Sequence, residues 1–370
     1  MSSYSPVAST IVVAHPEDVV RLFSTVAPGA SIAVVAAADE ANDLTRRELH
    51  AVGMALGARS TRMLALSEVG PWLREQAALG AVRVHTHSPQ EDAPRHRELC
   101  LAVGRAVNRL RVPALGARPT AVTVLDDRSF HQKLGLLNAL YRERPDGAGE
   151  ACTLPVRDGP GIEAFCDIRH ADVVRALSLT KPEIFTELED PWGFTHSTYE
   201  RERYALTARL LGALAREGRA PRTVMDVGAC EGLMTEQLLS LFPEAHVQAV
   251  ESEPGFVSRL RARLGGEARV RIVDASALDV PLEADLVLLA EVLYYLPMPQ
   301  GRELLGHLRA EHVLTSYGGP FAEEVHADLR ALGWKTVAAD SLPGRIEPMD
   351  GVSSPLLVRR AGTQVRLWAR

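Results

Sequence analysis

Thr223-Val-Met-Asp226-Val-Gly228-Ala-Cys-Glu-Gly232 is the stretch that decides the fold. A short β-branched run ends in an acid and a glycine, and an amphipathic stretch, Leu233 to Leu241, follows it. This is a buried strand turning into a helix. Gly228 permits a tight turn and a close approach of backbone to ligand. The N-terminus of the helix offers unpaired N–H groups to a carboxylate. Asp226 is placed to accept from an ammonium group. The middle glycine of the usual pattern is absent, with Ala229 and Cys230 in its place. The turn is therefore expected to be wider than usual, or its ligand displaced.

Three further strands follow. Val247 to Glu251 ends in an acid about twenty residues after the glycines, where it can accept both hydroxyls of a ribose. Arg269 to Val273 ends in Asp274-Ala275, again with an acid at the strand tip. Asp285 to Leu289 ends in Ala290-Glu291-Val-Leu-Tyr294-Tyr295-Leu296. Ligands of open α/β sheets lie at the carboxyl ends of the strands, and all four polar tips fall there.

The first half opens in a similar way. Ser9 to Ala14 is a strand that runs into His15-Pro16-Glu17-Asp18, and Ser31 to Ala36 reads as a second buried strand. Thr45-Arg-Arg-Glu48 has the pattern of a capping box for a helix that stops at Gly57. Ala121 to Leu125 is a later strand, followed by Asp126-Asp-Arg128-Ser-Phe-His131. Strands alternating with helices imply a mostly parallel sheet covered on both faces. Glu143 to Gly161, rich in proline, glycine and charge, reads as a long loop. The domain boundary is expected between Thr180 and Asp190.

The chain has 370 residues, too many for one ordinary core, so two domains are expected. A net charge of −6 argues against a nucleic-acid or membrane-surface binder. Four cysteines without a C-x-x-C pair read as reduced thiols of a cytoplasmic protein. The first residues lack the features of a secretion signal, and no apolar run reaches the ~18 residues of a membrane helix.

With its strand tips in this order, the second half resembles the class I methyltransferases, which bind S-adenosylmethionine (SAM). The cofactor residues implied are Asp226, Gly228, Gly232, Glu251, Asp274, Ala275 and Glu291. Glu189-Asp-Pro-Trp192-Gly-Phe194-Thr-His-Ser-Thr-Tyr199-Glu-Arg and Glu291-Val-Leu-Tyr-Tyr-Leu further resemble the NodS-type enzymes. These methylate the free amine of a deacetylated glucosamine end. The resemblance implies a helical lid in which Trp192, Phe194 and Tyr199 wall the methyl sulfonium. It places Glu291 and Tyr294 at the acceptor, with Tyr295 in the core.

His15-Pro-Glu-Asp18 resembles the A-H-P-D-D-E signature of the PIG-L (LmbE-like) zinc deacetylases. Leu44-Thr-Arg-Arg-Glu-Leu and Ala55-Leu-Gly57 add to the likeness. It implies a Zn2+ held by His15, Asp18 and His131, with Glu17 as general base. Val19 replaces the motif's last acid. Arg128-Ser-Phe-His131 stands for the family's H-P-D-H and loses its first histidine and its acid. A relic scaffold is therefore favoured over an active deacetylase. His85 and His87 read as surface histidines, His96 as solvated, and His170, His196, His312 and Tyr317 as minor candidates.

The fold expected is α/β with two domains, a PIG-L-like Rossmann-type domain over 1–185 and a class I methyltransferase Rossmann-like domain over 186–370. The function expected is a SAM-dependent N-methyltransferase acting on an amino sugar or sugar-derived amine in a biosynthetic pathway. One alternative is a bifunctional zinc-dependent N-deacetylase/N-methyltransferase. The other is an O-methyltransferase whose first half serves only recognition or homodimerisation.

Overall fold

The computed structural model describes residues 8–36, 42–81, 83–142, 162–178, 184, 187–350 and 353–370. The expected loop Glu143–Gly161 and part of the expected boundary region lie outside them. The chain divides into two compact units. The first is Met1–Pro191 with Ser353–Leu357, the second Trp192–Val352 with Val358–Arg370. Among the described residues no helix is long and apolar enough to cross a membrane.

The first unit runs β1 (Ser9–Val13), α1 (Pro16–Phe23), β2 (Ser31–Val35), α2 (Asp43–Leu56), β3 (Ser60–Leu64), α3 (Val69–Ala78), β4 (Arg83–His85) and α4 (Pro94–Ala106). It continues with β5 (Arg109–Pro113), β6 (Ala121–Val124), α5 (Asp127–Arg142), β7 (Ile162–Arg169) and α6 (His170–Ser178). Its sheet has the order β3-β2-β1-β4-β5-β7-β6. β3 to β5 are parallel, and β7 pairs antiparallel with both β5 and β6. β2 is buried throughout, as expected of a parallel strand covered on both faces.

Asn42, not Thr45, caps α2, its side chain accepting from the Thr45 N–H at 3.0 Å, and Glu48 lies buried inside the helix. The later strand at Ala121 is the outer edge of the sheet, antiparallel to β7, and leaves Val122 and Val124 exposed.

The second unit runs α7 (Thr198–Arg216), β8 (Thr223–Val227), α8 (Leu233–Leu241), β9 (His246–Glu251), α9 (Pro254–Leu264), β10 (Val270–Asp274), β11 (Glu283–Ala290) and α10 (Met298–Gly306). After these come β12 (Arg309–Tyr317), α11 (Gly319–Ala331), β13 (Lys335–Leu342), β14 (Arg345–Pro348), β15 (Leu357–Arg360) and β16 (Thr363–Ala369). Its sheet order is β10-β9-β8-β11-β12-β16-β13, and β14 and β15 form a separate two-stranded sheet. β10 to β12 are parallel, while β16 is antiparallel to β12 and β13. The two units thus share one strand order.

Apolar side chains cover both faces of the second sheet. Leu206, Leu211 and Leu214 of α7 pack with Leu238 and Leu260 on one face. Leu304, Leu329, Trp334 and Trp368 fill the other. In both units the chain reverses its order of strand addition between the first strand and the fourth. A crevice therefore opens at the carboxyl ends of β1 and β4, and another at those of β8 and β11.

Candidate functional site

The crevice of the second unit is built from the β8–α8 turn outward. Gly228 has φ +73°, and a Cβ there would come within 2.9 Å of Val292. Gly232 has φ +86°, and its Cβ would meet Leu260 at 2.6 Å. Both positions require glycine. Cys230 stands where the middle glycine of the usual pattern would be. Cys230 itself adopts the left-handed conformation, φ +50°, and its N–H donates to Glu251 Oε2 at 2.9 Å.

Glu251, the last residue of β9, also accepts from the N–H groups of Ser252 and Glu253 at 2.8 and 2.9 Å. Three backbone donors thus hold its carboxylate in place, and it keeps further lone pairs for hydroxyl donors. Asp274 pairs in register with Glu251 on β10 and is exposed beside Arg261 at 3.1 Å.

Asp226 is buried at the end of β8, where Thr235 donates to it at 2.6 Å. Burial, reinforced by the charge of Glu251 and opposed by the Thr235 hydrogen bond, pushes Asp226 up to about 6. A ligand ammonium would supply the positive charge that this acid lacks.

Glu291 follows β11 in a left-handed conformation, φ +54°, held by its N–H donating to the Ser316 carbonyl at 2.9 Å. Tyr294 donates to its Oε2 at 3.1 Å, and the Ser316 and Thr363 hydroxyls lie 3.5 and 3.4 Å from its Oε1. Burial and the charge of Glu200 raise its pKa against the pull of Arg203. Tyr295 is half-exposed and packs at a tilt against Tyr294 with ring centroids 4.6 Å apart, which corrects its expected place in the core. The buried Tyr317 is the core residue instead, its oxygen accepting from the Leu293 N–H at 3.4 Å. His312 pairs with Arg219, which precedes β8, at the opposite end of the strands.

The segment before α7 supplies the aromatic residues. Trp192 packs on Phe256 at 5.1 Å and Phe194 at 5.6 Å. Tyr199 is buried, with the guanidinium groups of Arg345 and Arg360 over its ring at 5.4 and 5.7 Å. Its ring thus sits beside two cations.

Sequence reading missed the residues that clamp this segment. Glu347 of β14 accepts from the Ser197 hydroxyl at 2.5 Å, the Tyr199 N–H at 3.2 Å and Arg360 of β15 at 3.1 Å. Nothing in sequence spacing links residues so far apart. Glu347→Ala should lower stability by about 2–3 kcal/mol, because it leaves buried donors unpaired. Thermal or urea unfolding would measure this.

The crevice of the first unit gathers a different set. His15 caps α1, and its N–H donates to Asp18 Oδ2 at 3.0 Å. The same oxygen lies 3.4 Å from His15 Nδ1, 3.5 Å from His87 Nε2 and 3.8 Å from His96 Nε2. Arg21 meets Asp18 Oδ1 at 3.0 Å. Burial opposes ionisation of Asp18, but His87, His15, Arg21 and His96 together hold it at about 2.

His87 and His96, expected at the surface, are both buried, and so is His85. His85 packs between Phe23 and Phe165, and burial, aided by Arg111, pushes it down to about 3. His131 is displaced from the group expected for it. It is exposed on α5, with Nδ1 at 2.6 Å from the Asp127 carbonyl, because β6 is the far edge of the sheet and not the crevice strand. The histidine that joins His15 and Asp18 is His96, just inside α4, which follows β4. Ala93-Pro-Arg-His96 keeps the proline and last histidine of an H-P-D-H pattern, a signal that the sequence offered. Glu17 is half-buried in the first turn of α1.

Strand order, glycine turn and acid-tipped strands define the second unit as a methyltransferase-type α/β domain. The sequence model of the NodS family (nodulation protein S) matches residues 179–311. Nodulation protein S of Bradyrhizobium diazoefficiens is 33% identical over 111 residues, 30% of this chain and 50% of that protein. The chain thus spans half the length of that relative. A trans-aconitate 2-methyltransferase of Methylobacterium radiotolerans is 28% identical over 185 residues, 47% of this chain and 69% of that protein. The crystal structure of the N-methyltransferase NodS from Bradyrhizobium japonicum, in complex with S-adenosylhomocysteine (SAH), aligns with a TM-score of 0.41 at 20% identity. It covers 51% of this chain and 95% of that one.

Proposed function

We propose that the protein is a SAM-dependent N-methyltransferase acting on an amino sugar or a sugar-derived amine. The observation that carries this is the convergence of Asp226, Glu251 and Glu291 on one crevice, within a segment similar to nodulation protein S. SAM supplies a methyl group on a sulfonium. In this reading Glu251 holds the ribose hydroxyls, Asp226 the ammonium, and the start of α8 the carboxylate. Asp274 and Ala275 would hold the adenine, and Trp192, packed on Phe256, would add an aromatic face to the site.

A neutral amine is already nucleophilic, so the protein has chiefly to orient it and to accept one proton. Glu291 is the residue for both tasks. It follows β11, the strand beside β8, and Tyr294 holds one of its oxygens. Incubation with SAM and a panel of amine-bearing sugars should give products heavier by one methyl in a mass spectrum. If only hydroxyl-bearing sugars without amines were methylated, the N-methyltransferase reading would fail.

The His15, Asp18 and His96 group favours a second reading, for the first unit. Two imidazoles and a carboxylate suit a zinc ion, which would activate water as it does in the PIG-L deacetylases. Glu17 would serve as base. Ala93 and Arg95 replace the first histidine and the acid of H-P-D-H, so no proton donor stands in their place. The reading is of a metal-binding domain of PIG-L descent with little or no deacetylase activity. Release of acetate from an N-acetylated amino sugar in the presence of zinc would argue for the bifunctional alternative.

A further inference from the structure

We infer that Glu91 is the positioning carboxylate of this metal site, orienting His96 toward Asp18 and His15. The inference rests on the metal reading of the first unit given above. Glu91 lies in the turn between β4 and α4, and its Oε1 accepts from the Ser88 N–H at 2.8 Å. Its Oε2 meets His96 Nδ1 at 2.6 Å and His87 Nδ1 at 3.2 Å. The two imidazoles stack face to face, with centroids 3.8 Å apart and planes 14° from parallel. One carboxylate thus fixes two rings.

The tautomers follow from the partners. His87 Nε2 accepts from the Ala14 N–H at 3.0 Å, so the proton of His87 sits on Nδ1 and points to Glu91. That lone pair is used, which makes His87 a spectator and not a ligand. His96 also gives its Nδ1 proton to Glu91, and its Nε2 lone pair then faces Asp18 Oδ2 at 3.8 Å. A metal ion seated between them would take both as ligands. His15 Nδ1, 3.4 Å from the same Asp18 oxygen, completes the donor set. A carboxylate on the far nitrogen of a ligating histidine fixes its orientation and raises its basicity, and loss of such a partner weakens metal binding about 10- to 100-fold.

The test is zinc and cobalt(II) affinity of the full chain, measured by chelator competition, together with the visible spectrum of the cobalt form. Wild type should bind one ion. H96A should lose it, E91Q should bind about 10- to 100-fold more weakly, and E91D should recover part of the loss. H131A should bind as wild type does. Melting curves of the metal-free variants would show that each is folded. If H96A loses the ion but E91Q and E91D bind as tightly as wild type, the role of Glu91 is refuted and the metal reading stands. If wild type binds neither ion, both are refuted.

Discussion

Asp226→Asn is expected to bind SAM and SAH about 100-fold more weakly than wild type, while the ligand-free protein becomes more stable. Both effects come from one buried charge. Asp226 sits at the end of β8 with a single hydroxyl donor, Thr235, and its pKa rises from 3.8 to about 6. An asparagine can still accept from Thr235, so the local geometry survives. What goes is an anion that is costly without a cation beside it.

The sign of the pH dependence follows. Between pH 4 and 6 the folded protein holds a proton that the unfolded chain has released. Through this carboxyl, stability is present at low pH and declines as pH rises through about 6. At neutral pH the substitution should therefore raise stability by about 1–3 kcal/mol. Binding of the ligand ammonium reverses the preference and favours the ionised acid. Affinity for SAH should accordingly increase with pH through about 6 in wild type, and Asp226→Asn should lose that dependence. Urea unfolding without ligand and calorimetric titration across pH would measure the two effects. A variant that is less stable and binds SAH normally would remove Asp226 from the site.

Glu291→Gln is expected to lower turnover about 100-fold with SAH affinity little changed. Glutamine keeps the length and still accepts from Tyr294, but it cannot take a proton. Burial and the neighbouring Glu200 raise the pKa of Glu291, so the activity of wild type should rise with pH over a window above the ordinary glutamate range. That limb of the profile should disappear in the variant. The backbone is the reason to choose glutamine over a smaller residue. Glu291 holds φ +54°, and its N–H bond to Ser316 is part of how the chain turns out of β11. An unchanged turnover would mean that the acceptor is held by another group, with Tyr294 the nearest.

The methyltransferase half was legible because its signals are local. β8, β9, β10 and β11 each end in the acid or glycine that the sequence presents there, and a parallel sheet aligns those ends without further information. Residues contributed from a distance were not legible. Glu347, Arg360, Ser316 and Thr363 come from late strands whose pairing fixes their position, and none carries a recognisable spacing. Cys230 shows a different limit. A missing glycine is visible in the sequence, but the left-handed conformation that Cys230 takes up, with its N–H on Glu251, is not.

In the first unit β1 and β2 were plain from their β-branched runs. The histidines were misplaced because the charged sequence of α4 hides a buried face. Its first turn points His96 at Glu91, and only the strand order shows that β4, not β6, borders the crevice.

A methyltransferase second unit holds one nucleoside sulfonium between the ends of β8, β9 and β11. Calorimetric titration of the full chain with SAH addresses this directly, with Glu251→Ala beside it. One molecule bound per chain in wild type, and none in the variant, is the predicted outcome. An absence of binding heat in wild type, or equal binding by the variant, would contradict the account.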